Sequence, residues 1–423
     1  MQSQTQSNEV QVPNLRTFLS RTLYAGIALL TAVNVATAGN GPRMIEVSDD
    51  TQTYAGMIVA KSAQECFIVD RFGRQVRLPI AGLKSFSVVA ESFRPASQSE
   101  FRRQLEAELG PGYEVATSKH YVVAGTRGNG RSYAALFEEI FNQVDSFYSL
   151  RGFQTSEPDA PLVALVLKDQ AAFRKYCEND QMGWTEGLRG YYSLKSNRVV
   201  MYDLPELFQS VRLTSEADLQ TREKTLISNA DSSTRTHSPD DVEYPVGRIV
   251  ARLQRGASAS AVGGETANTI IHETTHQVGF NIGIHSRIGG TPAWILEGMA
   301  TVLESTGMRT RGNSSEKMNA ERLEWFQQNY SMRRQPGDLA KLVASDDMFS
   351  AQTLDAYSAA WGITWFLTEN PARARLFSKY LKTISEHDPL RPYTAEERLK
   401  DFQSIFGDIA RLEVEYVRAI DHL

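Results

Sequence analysis

Only seven histidines occur in the 423 residues, and two of them stand four apart around a glutamate: His272-Glu273-Thr274-Thr275-His276. On a helix, positions i and i+4 share a face, so both imidazoles can reach one metal ion. Glu273 projects beside them, where a carboxylate can take a proton from water activated by such an ion. A helix is expected here on independent grounds. Ala267, Ile271, Thr274, Thr275 and Val278 form a narrow stripe suited to a core. His272, His276 and Gly279 lie on a neighbouring face, and Gly279 leaves room there for another backbone.

Two histidines do not complete a zinc site; a third ligand is required. The metzincin spacing would put a histidine six residues after His276, but that position is Ile282. Two candidates remain. His285 sits nine residues on, in the loop-like Asn281-Ile282-Gly283-Ile284-His285. Glu297 sits in Thr291-Pro292-Ala293-Trp294-Ile295-Leu296-Glu297-Gly298-Met299-Ala300, which reads as a helix with Thr291 as its cap, Pro292 at its first position and Gly307 past its end. A second helix delivering Glu297 onto the first would close a two-histidine, one-glutamate site with its fourth position open.

The rest of the chain must position these residues. Hydrophobic residues make up 41% and charged ones 22%, the balance of a globular protein with a buried core. Lys+Arg 45 against Asp+Glu 50 gives a net charge of −5, which argues against a basic surface for nucleic acid. Residues 1–38 read as a signal peptide. Arg16 and Arg21 precede the apolar run from Leu23 to Val33, and Ala36-Thr37-Ala38 fits cleavage before Gly39. Removing them leaves 43 positive and 49 negative groups, a net −6. No later segment is long and apolar enough to span a bilayer, so the expected product is secreted or periplasmic, without stable membrane insertion. The expected partner is a peptide or protein substrate; the oligomeric state is not legible.

Residues 39–92 are expected to form a small β module, barrel-like, from strands near Tyr54–Ala60, Cys66–Asp70 and Gln75–Leu78 with a turn at Arg71-Phe72-Gly73-Arg74. Residues 93–112 form a linker with a helix from Gln98 to Leu109, stopped by Gly110-Pro111. Residues 113–423 then alternate: a strand Glu114–Val123, a helix Tyr133–Leu150, a strand Pro161–Leu167, a helix Gln170–Cys177, and strands at Gly190–Tyr192 and Arg198–Tyr202. A polar insertion follows at about 215–241, and everything after Glu265 is helical in character. The Arg198–Tyr202 strand is a candidate edge for pairing with an extended peptide. Cys66 and Cys177 fall in different predicted domains and are expected to stay unpaired.

The His272–His276 motif, followed some twenty residues later by Pro292-Ala293-Trp294-Ile295-Leu296-Glu297-Gly298-Met299-Ala300, resembles the gluzincin metallopeptidases, the branch that includes thermolysin and related aminopeptidases. More closely, it is similar to the "peptidase MA-like" set, and within it to an uncharacterised bacterial family of secreted domains of unknown function. Tyr357-Ser358-Ala359-Ala360-Trp361 with Phe366-Leu367, and Glu397-Arg398-Leu399 with Phe402 and Ile405-Phe406-Gly407, match that family's style over about residues 93–423.

The resemblance implies an α+β, zincin-like metallopeptidase domain: a mixed sheet, zinc-site helices and a helical C-terminal half. It implies one Zn2+ held by His272, His276 and Glu297, with Glu273 as general base and acid. It also implies Tyr357 as donor to the oxygen on which charge develops, with His285 the alternative donor. The segment that holds a substrate's amino terminus in the aminopeptidases has no counterpart, since Gly263-Gly264-Glu265 is too close to the zinc helix. Thermolysin-like enzymes carry an acidic residue four after the glutamate ligand. Here that position is Thr301, and Glu304, one turn on, is the candidate to orient a histidine. The function expected is that of an exported zinc endopeptidase. The alternative is a non-catalytic, zinc-binding extracytoplasmic scaffold.

Overall fold

The computed structural model describes residues 41–203, 261–310 and 314–423, with only the backbone at 261–266, 314 and 315. The expected signal peptide and polar insertion lie outside the described residues. The chain divides after Pro95 into two compact units.

The first unit is one antiparallel sheet. Strands β1 (Met44–Ser48), β2 (Thr53–Lys61), β3 (Glu65–Val69), β4 (Gln75–Pro79) and β5 (Ser85–Ala90) lie in the order β4-β3-β2-β1-β5. Asp70 makes the β3–β4 turn, its Oδ1 accepting the N–H groups of Phe72 (2.8 Å) and Arg74 (2.9 Å) while Gly73 adopts φ 76°. Ile45, Val47, Cys66, Ile68 and Leu78 are its buried core. The barrel-like module expected from the sequence is corrected here. β4 and β5 end the strand order without pairing to each other, so the sheet stays open. β1 and β5, not expected from the sequence, extend the meander on one side instead of closing it.

The second unit is α+β. Helix α1 (Gln98–Leu109) opens with a capping box between Ser97 and Glu100. Strands β6 (Tyr113–Thr117) and β7 (Tyr121–Thr126), helix α2 (Gly130–Leu150), strand β8 (Leu162–Leu167), helix α3 (Gln170–Asn179) and strands β9 (Gly190–Ser193) and β10 (Arg198–Tyr202) follow. The continuous strand expected over Glu114–Val123 is a hairpin, because Ser118 N–H turns back onto Tyr121 O at 3.0 Å. The sheet runs β6-β7-β8-β10-β9, with parallel β7–β8 and β8–β10 pairs flanked by antiparallel ones. This corrects a second expectation: β10 is hydrogen-bonded on both sides and offers no edge. The edge is β9, which the hairpin turn at Asn197 (φ 58°) folds outside it.

Helices make up the remainder: α4 (Ala261–Asn281), α5 (Ala293–Glu304), α6 (Thr353–Glu369), α7 (Pro371–Ser385), α8 (Ala395–Phe406) and α9 (Ile409–Asp421), with short helical turns between α5 and α6. The stripe of Ala267, Ile271, Thr274, Thr275 and Val278 is buried, as its spacing requires. Gln277 fixes α4 to the sheet: fully buried, its Nε2 donates to Val163 O (2.9 Å) and to Asn197 O (2.8 Å). Helices α5 and α6 cross closely at Gly298. A Cβ there would overlap Thr364 Oγ1 and lie 2.7 Å from the Ala360 carbonyl. Gly298→Ala must therefore push the helices apart, at a cost of about 3 kcal/mol, the upper end of what overpacking exacts. Urea unfolding should show a lower midpoint with an unchanged slope. An unaltered midpoint would mean that the crossing has slack.

Candidate metal centre

Helix α4 presents His272 and His276 one turn apart, and α5 lays Glu297 across them. His272 Nε2 lies 3.1 Å from His276 Nε2 and 3.1 Å from Glu297 Oε2, and His276 Nε2 lies 3.6 Å from Glu297 Oε1. Among the described residues this is the one group of three whose donor atoms all lie within 4.8 Å of one another. Two imidazole nitrogens and a carboxylate facing a single point suit zinc, with a coordination position to spare.

The electrostatics have the sign a cation needs. Burial alone would push the His272 imidazole down, but hydrogen bonds to Glu297 and Glu304 reverse this and carry it well above its ordinary value. Burial would raise Glu297, yet the charge of His276 and the contacts with both histidines hold it well below the carboxylate range. Positive charge at the centre is thus favoured, as a cation site requires.

Glu273 points elsewhere. Its Oε2 accepts the Tyr192 N–H of β9 at 2.8 Å, so the carboxylate bridges from α4 to the edge strand. Burial raises its pKa, opposed by the positive charge of His272 and His276. Tyr192 is itself fixed, its ring stacked on Phe280 at 5.6 Å and its hydroxyl donating to Asn197 Oδ1 at 2.8 Å. Tyr357, on α6, meets the centre at Glu297. Its phenol is pushed up first by burial, then by the charge of Glu297 and a hydrogen bond to it, and by Glu273. Trp361, which shares its helical stripe, is fully buried instead.

His285 stands apart from the donor group. Its imidazole packs on α4 with Cδ2 2.9 Å from where a Gly279 Cβ would be, so Gly279 makes room for a side chain and not for the backbone expected from the sequence. Burial, with His276 nearby, pushes His285 down to about 3, so it sits there neutral. The start of α5 also differs from expectation. Pro292 is the cap position, Ala293 the first helical residue, and Thr291 caps nothing. The capping carboxylate is Asp346, which accepts Ala293 N–H at 3.0 Å and is gripped by Arg398 at 2.9 and 3.2 Å. The helix ends at Ser305, and Gly307 lies inside the next turn, where a Cβ would meet Glu316 C at 2.6 Å.

The outer contacts fall to Glu304. Its Oε1 lies 2.8 Å from His272 Nδ1, the arrangement in which Nδ1–H donates and Nε2 keeps its lone pair for a metal. Thr301 cannot share this task, because its hydroxyl is spent on the carbonyls of Glu297 (2.7 Å) and Gly298 (3.1 Å). The roles of the Tyr192 N–H, Asp346 and Asn319 (below) were not read from the sequence. Asn319-Ala320-Glu321-Arg322 carries a helix-cap signal, but nothing in it points at a metal.

Residues 266–391 match a family described as "Protein of unknown function (DUF1570)". The matched stretch contains His272, Glu273, His276, Glu297, Glu304 and Tyr357. Among curated proteins none matches the chain.

Proposed function

We propose that this chain is an exported zinc peptidase of the gluzincin type, with a zincin-like second unit, and that it cuts within peptide chains. The observation that carries the reading is the convergence of His272, His276 and Glu297 with a second, half-buried carboxylate, Glu273, that belongs to the same turn of helix but not to the donor group. A purely structural site would be closed by four protein ligands and would have no use for that carboxylate.

His272 and His276 on α4 and Glu297 on α5 would hold the ion, which when bound supplies Lewis acidity toward water and a carbonyl. The chain's own groups do the rest. Glu273 takes one proton from the attacking water as its oxygen bonds to the carbonyl carbon. It then hands that proton to the amine nitrogen as the C–N bond breaks, leaving a carboxylic acid and an amine; the acid's remaining proton passes to the amine, giving a carboxylate and an ammonium group. The Tyr357 hydroxyl donates to the carbonyl oxygen as negative charge builds there. The outer edge of β9, whose Tyr192 N–H already faces Glu273, supports a substrate bound as an added strand. Such binding suits an extended internal stretch of peptide.

The deciding experiment is digestion of an unbiased peptide library by zinc-loaded protein, by chelator-treated protein and by the same protein after zinc is restored. Internal cleavages should appear, vanish and return. A library left intact by protein that carries zinc would overturn the peptidase reading in favour of the scaffold. The export half of the proposal is checked separately: intact mass of protein recovered outside the cytoplasm should place its N-terminus at Gly39, and full-length protein in the membrane fraction would refute it.

A further inference from the structure

The carboxylate of Glu304 is itself held from behind. Asn319, buried and 7% exposed, donates through Nδ2 to Glu304 Oε2 at 2.7 Å and to the Thr301 carbonyl at 3.1 Å. Its other amide atom is committed as well: Oδ1 accepts the Arg322 N–H at 3.2 Å and so caps the short helix Ala320–Trp325. That helix is pinned to α6 by Ser358, whose hydroxyl donates to Arg322 O at 2.8 Å. Because Oδ1 must accept at the cap, Nδ2 can only face Glu304, and the amide has no alternative orientation. On the opposite side, Arg309 is buried between Gln143 Oε1 (3.0 Å) and the Glu304 carbonyl (3.5 Å). Glu304 therefore has one oxygen on His272 and the other on Asn319, with its backbone held by Arg309.

The geometry points to Asn319 as a positioning residue of the metal centre: it fixes the direction of the Glu304 carboxylate, and through it the ring orientation and tautomer with which His272 presents Nε2. This rests on the zinc reading of the site, though not on its being a peptidase. Nothing within the His272–His276 motif or near Glu297 encodes it, since Asn319 lies 43 residues after His276 in the chain.

The test separates capping from positioning. Asn319→Ser and Asn319→Asp both keep a good helix cap. Serine is too short to reach Glu304, and aspartate turns an oxygen where the N–H stood, against two acceptors. Zinc affinity is measured on the mature chain by competition with a chromophoric chelator, and the Co2+-substituted protein gives a ligand-field spectrum. Both variants should bind zinc roughly 10–100-fold more weakly, the usual cost of losing such an outer contact. Aspartate should be the worse of the two, the Co2+ bands should shift, and the metal-free Asn319→Ser protein should melt near wild type. Variants with wild-type zinc affinity and an unchanged Co2+ spectrum would overturn the inference. So would an affinity loss that merely tracks a lowered melting temperature of the metal-free protein. Wild-type protein that takes up no zinc would instead remove the metal reading, and the inference with it. Protein that binds zinc in this Asn319-dependent way and cleaves nothing would remove only the peptidase reading.

Discussion

Glu273→Gln should retain about one equivalent of zinc and lose nearly all turnover, since a group outside the coordination sphere serves the chemistry and not the binding. The amide preserves size and can still meet the edge strand, but it cannot take a proton from water. General acid–base catalysis is worth typically about 10²–10⁴-fold, and the loss in kcat/KM should be of that order or larger because Glu273 serves in both directions. As a general base the same carboxylate should work only when ionised, so activity should fail as pH drops and Glu273 takes up its proton. Zinc lost together with activity in Glu273→Gln would mean that this residue is a ligand and that the division of labour drawn here is wrong.

Glu297→Gln should do the reverse and empty the site. Among the described residues Glu297 is the one carboxylate whose two oxygens face both histidine nitrogens, at 3.1 and 3.6 Å. Replacing an anionic donor by a neutral amide should weaken zinc by more than the roughly 10–100-fold that outer contacts are worth. Metal binding is linked to folding, so zinc should raise the melting temperature of the wild type and do little for this variant. Metal analysis and thermal melts of Glu297→Gln beside His285→Ala decide the point. If His285→Ala loses the metal and Glu297→Gln keeps it, the third ligand has been misassigned. A glutamine variant that still fills with zinc would also be informative against the site, because nothing else among the described residues completes the donor group.

Some of this molecule is determined by sequence alone, because the interactions concerned are local. The i, i+4 spacing places His272 and His276 on one face of any helix, and the stripe from Ala267 to Val278 commits that face's neighbour to a core whatever the rest of the fold does. The capping box at Ser97 and the stop at Gly110 delimit α1 by contacts within a few residues. The Asp70 turn is equally self-contained.

Only the tertiary structure decides the remainder, because the deciding partner lies far along the chain. Thr291-Pro292 looks like a helix start, yet the first amide of α5 is met by Asp346, 53 residues away, itself held by Arg398. β10 has the composition of an edge or a centre equally, and pairing with β8 and β9 makes it a centre, which hands the edge, and the hydrogen bond to Glu273, to β9. Spacing along the chain leaves both His285 and Glu297 as third-ligand candidates, and only the resemblance favours Glu297. The close α5–α6 crossing at Gly298 helps set where α5 lies, and α5 carries Glu297 to the histidines, while burial against Gly279 keeps His285 out. Spacing along a helix can specify which side chains share a face, but which face meets which is settled by packing between elements that the sequence lists far apart.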